Sequence, residues 1–492
     1  MVFLAQVALA LGQSLTDFLK DSLDGYMQRV MQMQDIAGAA VLVLKDGNVL
    51  VEKGYGVKKM GTNDKIDAQT LFMIGSNTKA FTGYLLAALH EEGVLNMNDK
   101  VKQYLPDFKM KNDYLTEEIT LTDLITHRMG METFQGDFMY WSSKLDYKGV
   151  MQHFGKLKPS YGFREKWGYT NAGYSILALC MEKASGKNWD RLMQEYILNP
   201  LGMQGSLTRT AEMIKANNYT FAHSEVKGKT TALPITNIDN LGPAASVCSS
   251  ISDMKLWVNA WLQADGKLVE KAKKRVIYPY SIVSKRENAA RKANYQLYGL
   301  GWFLEDIEGM EMISHTGGVN GFVTSVTMIP KLNLGIVVLT NTDHNNAYEA
   351  IKRDLLDLAL SKPYQATANR LSLAYKKGKV EKENWYKAYA DTLELMKKAR
   401  INLTLYTGTF VNELYGKVEI KINNGILEAS FEQHPNLKAQ LFVLQGNRTI
   451  CYYNDPVMGT TIWNWKLEDK IGFDLKVDDF LEFGTYRFEK TK

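Results

Sequence analysis

Ser76 and Lys79 stand three residues apart in Gly75-Ser76-Asn77-Thr78-Lys79, just ahead of the apolar run from Phe81 to Leu89. On a helix that spacing puts both side chains on one face, one turn apart. An amine within reach of a hydroxyl lowers the cost of removing its proton, the pattern of a serine nucleophile activated without histidine. Gly75 allows a sharp turn that leaves the hydroxyl accessible. Ser224/Lys227 and Ser252/Lys255 repeat the pattern. Ser224 is followed by no apolar helix, and Ser252 reads as an N-cap for the run Met254, Leu256, Trp257. An N-cap is also the plain alternative for Ser76.

Two further constellations bear on that choice. In Trp167-Gly168-Tyr169-Thr170-Asn171, a tyrosine and an asparagine two apart on a loop entering a helix can point into one cleft. A phenol near an ammonium has its anion favoured, which suits Tyr169 to general-base work. Asn171 can offer its amide to a substrate carbonyl while holding Lys79. The alternative is a core tyrosine and an N-cap asparagine. The second constellation is His315-Thr316-Gly317-Gly318-Val319-Asn320-Gly321, glycines around a His-Thr pair beside an apolar strand. It suits a strand edge that a substrate backbone approaches closely. There the Gly318 and Ser76 amides can bind an oxyanion, each donor commonly worth ~3 kcal/mol in the transition state.

The elements that must position these groups form a mixed α/β body followed by an all-β tail. A helix is predicted over residues 15–33, then strands at 39–44 and 49–55 around the Asp46-Gly47 turn. Helical patterns dominate from Lys79 to about Gly202, with short helices at 122–127, 174–184 and 189–197. Strands return at 300–304, 322–329 and 334–339, so both ends of this body meet in one antiparallel sheet flanked by helices, with an all-helical subdomain. Residues 348–401 read as a charged helical connector. Beyond Asn402 the period becomes two. Strands at 407–410, 417–422, 426–431, 440–444, 449–453, 460–467, 472–477 and 481–488 predict an eight-stranded β-barrel over residues 402–492.

At 492 residues and 45% hydrophobic content the chain can bury large cores. The formal charge of +5 comes from 59 basic and 54 acidic residues that are interspersed, so nucleic-acid binding is not expected. Cys180, Cys248 and Cys451 give neither a disulfide framework nor metal spacing, and His90-Glu91-Glu92 lacks the second histidine of a zincin. No stretch is long enough for a transmembrane helix. Residues 1–13 resemble a signal-peptide remnant without its basic region, which favours an extracytoplasmic (periplasmic or secreted) location. The oligomeric state is not legible.

Ser-x-x-Lys, Tyr-x-Asn and His-Thr-Gly, in that order and about 90 and 145 residues apart, resemble the serine β-lactamase and penicillin-binding-protein superfamily. The match is closest to its class C β-lactamase, D-aminopeptidase and esterase branch. Leu124-Ile125-Thr126-His127, Asn199-Pro200-Leu201-Gly202 and Tyr298-Gly299-Leu300-Gly301-Trp302 agree with it. The resemblance makes residues 14–347 the hydrolase domain and the tail a lipocalin-like domain. It implies that Ser76 attacks the carbonyl, that Lys79 and Tyr169 share proton transfer, and that Asn171, His315, Thr316 and Gly317 bind substrate. The oxyanion would lie between the amides of Ser76 and Gly318, with no metal or cofactor. Phe134, Tyr140 and Trp141 are candidates for an acyl pocket or for core packing.

One departure narrows the expectation. Typical β-lactamases and D-Ala-D-Ala peptidases carry Lys-Thr-Gly where this chain has His315-Thr316-Gly317. Histidine, with an ordinary pKa near ~6.5, supplies no permanent cation for a substrate carboxylate. The expected activity is hydrolysis of amide bonds in small peptides, those containing D-amino acids favoured, or of carboxylic esters. A β-lactamase or D-Ala-D-Ala carboxypeptidase is the alternative, and a non-hydrolytic penicillin or peptidoglycan sensor is the alternative of another class.

Overall fold

The computed structural model describes residues 14–226, 228–263, 266–288, 293–363, 365–397 and 401–491. The expected signal-peptide remnant lies outside the described residues. Two compact units emerge: Met1–Leu95, Trp189–Ile235 and Gly242–Val380 form the first, and Asn96–Asn188, Thr236–Leu241 and Glu381–Lys492 the second.

The first unit is built on an eight-stranded antiparallel sheet: β1 (Gly38–Lys45), β2 (Asn48–Gly56), β3 (Ser281–Asn288), β4 (Ala293–Tyr298), β5 (Phe303–Ile307), β6 (Met310–Val319), β7 (Phe322–Ile329) and β8 (Leu334–Thr340), in the order β2-β1-β8-β7-β6-β5-β4-β3. Residues from both ends of the body meet where Val41 pairs with Val338. β7 and β8 are buried along their whole length, as central strands covered on both faces must be. Helix Leu23–Met33 joins Val41, Val43, Ile336 and Val338 in one core. Helix Ile251–Leu262 lies so close to β8 that a Cβ on Gly335 would sit 2.3 Å from Val258. Trp257 of that helix stacks on Phe81 at 3.9 Å. The period-two reading missed β3 and β4, which are polar or exposed at many positions, and the full length of β6.

The segment expected as a helical connector, residues 348–401, opens with a helix that packs in the first unit's core. Helix Ala347–Ala359 buries Ala347, Ala350, Ile351, Leu355 and Leu358, a helical stripe, in the same core as β1 and β8. Its Asp354, fully buried, accepts from the Tyr26 hydroxyl at 2.8 Å and from the Thr367 amide at 3.1 Å. Charged residues on the helix's other positions hid that stripe. Helix Thr367–Lys397 follows.

The second unit joins the helical segment 96–188 to the C-terminal barrel, a grouping that the expected boundary at Asn402 separates. Helices Val101–Tyr104, Asp113–Glu118, Leu121–Ile125, Tyr147–Phe154 and Ala172–Ser185 lie in that helical segment. The barrel is closed: eight antiparallel strands run from Gly408–Asn412 to Tyr486–Lys490, and Phe410 pairs with Lys490. All eight predicted strands exist, but the last begins at Tyr486 rather than Leu481. No helix among the described residues is long and apolar enough to cross a membrane.

Candidate active site

In the first unit, Ser76 sits in a 3-10 turn, Gly75–Asn77, that feeds helix Thr78–Glu91. Gly75 has φ of 55°, the left-handed region that a side chain disfavours. Ser76 is half-buried while Lys79 is fully buried. The Lys79 Nζ donates to Ser76 Oγ at 3.1 Å and to the Ala244 carbonyl at 3.0 Å. Ser76 is therefore not a cap, since its hydroxyl faces the lysine. The same comparison disposes of the other two pairs. Ser224 lies in the strand Ala222–Val226. Helix Ile251–Leu262 is capped by Ser250, and Ser252, expected as the cap, bonds to Glu52 at 2.7 Å beside Lys255.

The nucleophile turn is clipped to β6 and β7. Ile74 O accepts from Thr324 Oγ1 at 2.8 Å and from Asn77 Nδ2 at 3.2 Å, and Asn77 Nδ2 also donates to Thr324 at 2.9 Å. This cluster lies against Gly317, where a Cβ would come within 1.9 Å of Ile74 O. On the other side of the turn, a Cβ on Gly301 would lie 2.3 Å from the Lys79 carbonyl. Glycine at 317 and 301 is what lets the turn approach.

β6 offers this turn an open edge. β5 pairs with it only as far as Ser314, opposite Phe303, while β7 pairs with it through Val319. Val319 and Phe322 flank a two-residue turn and form a hydrogen-bonded pair, so bonding to β7 alternates from there. Gly318 and Thr316 then turn their amide and carbonyl groups away from β7, toward the edge β5 leaves uncovered. A Cβ on Gly75 would lie 3.0 Å from the Gly318 nitrogen, which puts that amide beside the serine turn. First-turn amides of a helix lack intrahelical partners. The edge thus brings a Gly318 donor to a turn that can supply a second from Ser76.

His315 is buried and does not present a free ring to that edge. Its Nδ1–H donates to the Thr316 carbonyl at 2.6 Å, so Nε2 accepts from the Tyr298 hydroxyl at 3.2 Å. Burial, then the charge of Lys79, pull its pKa down to about 3. The ring is a neutral prop that holds the Thr316 carbonyl.

In the second unit, Tyr169 and Asn171 precede helix Ala172–Ser185 and are almost fully buried. Asn171 holds the cap position, yet its side chain makes no capping bond and instead donates to Asp137 Oδ2 at 2.5 Å. The Tyr169 ring lies 4.4 Å from His127 and 5.5 Å, edge-on, from Phe134. His127 adopts φ of 61°, and its Nδ1 accepts from the Thr170 amide at 3.1 Å, which fixes the Tyr169–Asn171 strip on the Thr126–Arg128 turn. Tyr140 and Trp141 are buried, and Phe134 is half-buried against Tyr169.

Sequence reasoning gave no role to Asp137, Thr324, Tyr298 and Asn77, the last two having been read only as neighbours within the Tyr298–Trp302 and Gly75–Lys79 segments. Thr324 and Tyr298 are ordinary strand residues until β6 brings them to Gly317 and His315. Asp137 lies between the noted Phe134 and Tyr140, and a buried carboxylate there had no partner in sequence.

Three comparisons agree on the framework. A family profile described as Beta-lactamase matches residues 23–361. Protein flp of Staphylococcus aureus (strain COL) is 27% identical over 372 residues, covering 73% of this chain and 70% of that protein. The unguisins hydrolase ungD' of Aspergillus campestris is 26% identical over 405 residues, covering 79% of this chain and 70% of that protein. Among solved structures, the octameric penicillin-binding protein homologue from Pyrococcus abyssi superposes with a TM-score of 0.61 at 21% identity, over 95% of this chain and 99% of that one, a likeness of fold.

Proposed function

This chain belongs to the beta-lactamase family, and on that premise we propose that it hydrolyses amide bonds of small peptides, those containing D-amino acids favoured, or carboxylic esters. The observation that carries the reading is the Lys79–Ser76 bond of 3.1 Å on a turn held against the open edge of β6. Ser76 attacks the carbonyl carbon, and its proton passes to Lys79 or Tyr169. The carbonyl oxygen takes the charge and is met by the amides of Ser76 and Gly318. Collapse expels the amine or alcohol, which takes up the proton, and leaves an ester on Ser76. Water then attacks that ester by the same route and frees the acid. Asn171 orients substrate, its own amide steadied by Asp137. Thr316 and Gly317 line the edge.

The neutral, buried His315 supports peptidase or esterase chemistry over cleavage of penicillins, because no permanent cation stands at that position for a carboxylate. The naming of one relative as a hydrolase of unguisins supports hydrolysis, without deciding the substrate here. The test is a panel of a p-nitrophenyl ester, D- and L-aminoacyl anilides and a cephalosporin, run beside Ser76→Ala. Hydrolysis of the first two classes, abolished in the variant, is expected. Activity that survives in Ser76→Ala removes the mechanism, and cephalosporin turnover equal to the best ester or anilide removes the specificity. A Ser76 adduct that forms and never turns over would instead identify a sensor.

A further inference from the structure

The barrel's described interior is filled rather than hollow. Trp463 stacks on Phe473 at 4.5 Å, Phe473 on Phe488 at 5.2 Å, and Phe410 and Trp465 close over the same ring. Such a core holds side chains, not a small ligand. What the barrel does present is a loop, the segment expected as the start of its last strand. There Glu482, 1% exposed, is a carboxylate surrounded by donors. Its Oε1 accepts from the Gly136 amide at 2.5 Å and its Oε2 from the Phe138 amide at 3.2 Å, and the hydroxyls of Tyr415 and Tyr486 complete the set. Four donors meet the roughly four lone-pair sites of a carboxylate. His434 adds a bond from Nε2–H to the Phe138 carbonyl at 2.8 Å, and its ring stacks on Phe138 at 4.2 Å.

The chain held in this way is the one that carries Asp137 and Phe134. It bends through the left-handed region twice, at Phe134 (φ 61°) and Gly136 (φ 85°), a shape a free loop would not keep. Asp137 receives the Asn171 amide. The Phe134 amide donates to the Tyr169 carbonyl at 2.8 Å while its ring packs between Tyr169 and Phe483 of the barrel loop. Mere docking of a barrel needs only an apolar patch. Burying a carboxylate carries a heavy desolvation cost that only a complete set of donors offsets.

We propose that Glu482 is a positioning residue: through Gly136 and Phe138 it sets Asp137 and Phe134, and through them the orientation of Asn171 and Tyr169. The barrel is then a support for the catalytic strip rather than a binding module. This rests on the reading that Tyr169 and Asn171 act in acyl transfer. The test uses the full chain with Glu482→Gln, which keeps volume but turns a donor toward donors, and the milder Tyr486→Phe. Trp465→Phe, inside the barrel and away from the loop, controls for lost barrel stability. Rates are taken per Ser76 labelled by a fluorophosphonate, at a temperature where circular dichroism shows every variant folded.

The expected result is a kcat lower by about 10- to 100-fold in Glu482→Gln with KM little changed, a smaller loss in Tyr486→Phe, and none in Trp465→Phe. Hydrogen exchange should rise in residues 133–140 and 168–174 of Glu482→Gln while the barrel strands stay protected. Unchanged kcat and unchanged exchange in those segments, even with a lowered Tm, overturn the proposal and leave Glu482 a docking contact. If Glu482→Gln does not fold, the same two readouts on Tyr486→Phe decide. A wild-type chain with no hydrolysis and an unreactive Ser76 overturns the hydrolase reading, and the exchange comparison still decides whether Glu482 sets the strip.

Discussion

Gly317→Ala tests whether contact between the serine turn and β6 is what makes the site. The new Cβ would stand 1.9 Å from Ile74 O and 2.6 Å from Thr324 Oγ1. A tolerable contact is about 3.2 Å, so backbone must part by roughly 1 Å, and the atom in the way is a carbonyl rather than a flexible side-chain end. Ile74 O is already held by Thr324 at 2.8 Å and Asn77 at 3.2 Å, so it cannot retreat without breaking that cluster. Overpacking of this kind costs about 1–3 kcal/mol of stability. The catalytic effect should be larger in proportion, because a shift of about 1 Å between nucleophile and oxyanion donor costs on the order of 100-fold in rate. The assay is kcat/KM on a p-nitrophenyl ester, paired with thermal unfolding. Gly378→Ala is the control. It lies in helix Thr367–Lys397 with nothing within 4 Å of its new Cβ, and should raise stability by up to about 1 kcal/mol without changing rate. A Gly317→Ala enzyme with wild-type kcat/KM would refute the claim that this approach builds the site.

Other consequences follow from single contacts. Asp137→Asn replaces the acceptor of the Asn171 amide, and kcat/KM should fall by about 10-fold or more while Ser76 still labels with a fluorophosphonate; equal turnover would show that Asn171 needs no such partner. Tyr298→Phe removes the donor to His315 Nε2 and should destabilise by about 1–3 kcal/mol in denaturant titration, with the histidine left half-satisfied. His434 is held neutral, its pKa pulled down to about 4 by burial. The unfolded chain binds a proton near pH ~6.5 that the folded one refuses, so this contribution is complete above that pH and is lost as pH falls toward 4. Between pH 7 and 4.5, Tm should therefore fall more in wild type than in His434→Gln, and identical slopes would contradict the assignment. Asp123, fully buried, takes two bonds from Arg164 at 2.7 and 2.8 Å and closes the Thr120 cap. Asp123→Asn should lower Tm by several degrees, a modest figure because Arg164 is partly exposed.

Much of the plan was legible because it is local. The strand Phe322–Ile329 and the barrel strand Ile426–Phe431 lie where alternation and apolar runs put them, since side-chain period follows directly from backbone geometry. Ser76 and Lys79 meet because three residues on a helical turn must. The core stripe of helix Ala347–Ala359 was not legible, because the helix's charges mask it in a count of residue types. The start of the last barrel strand was misjudged at Leu481 for a related reason: alternation continues through Glu482, but its carboxylate is spent on amides more than 340 residues earlier.

Chemistry that depends on spacing along one turn was thus determined by the sequence itself: a serine, its lysine, a glycine to free them, and a histidine where a lysine would have carried charge. Tertiary structure alone decided which surroundings those groups meet. It set Ser76 apart from Ser224 and Ser252 by placing its turn on the open edge of β6. It made His315 a neutral prop by burying it against Tyr298. It also tied Asn171 to Asp137, and Asp137's loop to Glu482. The reason is that hydrogen bonding and desolvation act on atoms brought within about 3 Å, and only the folded chain specifies which distant residues those are.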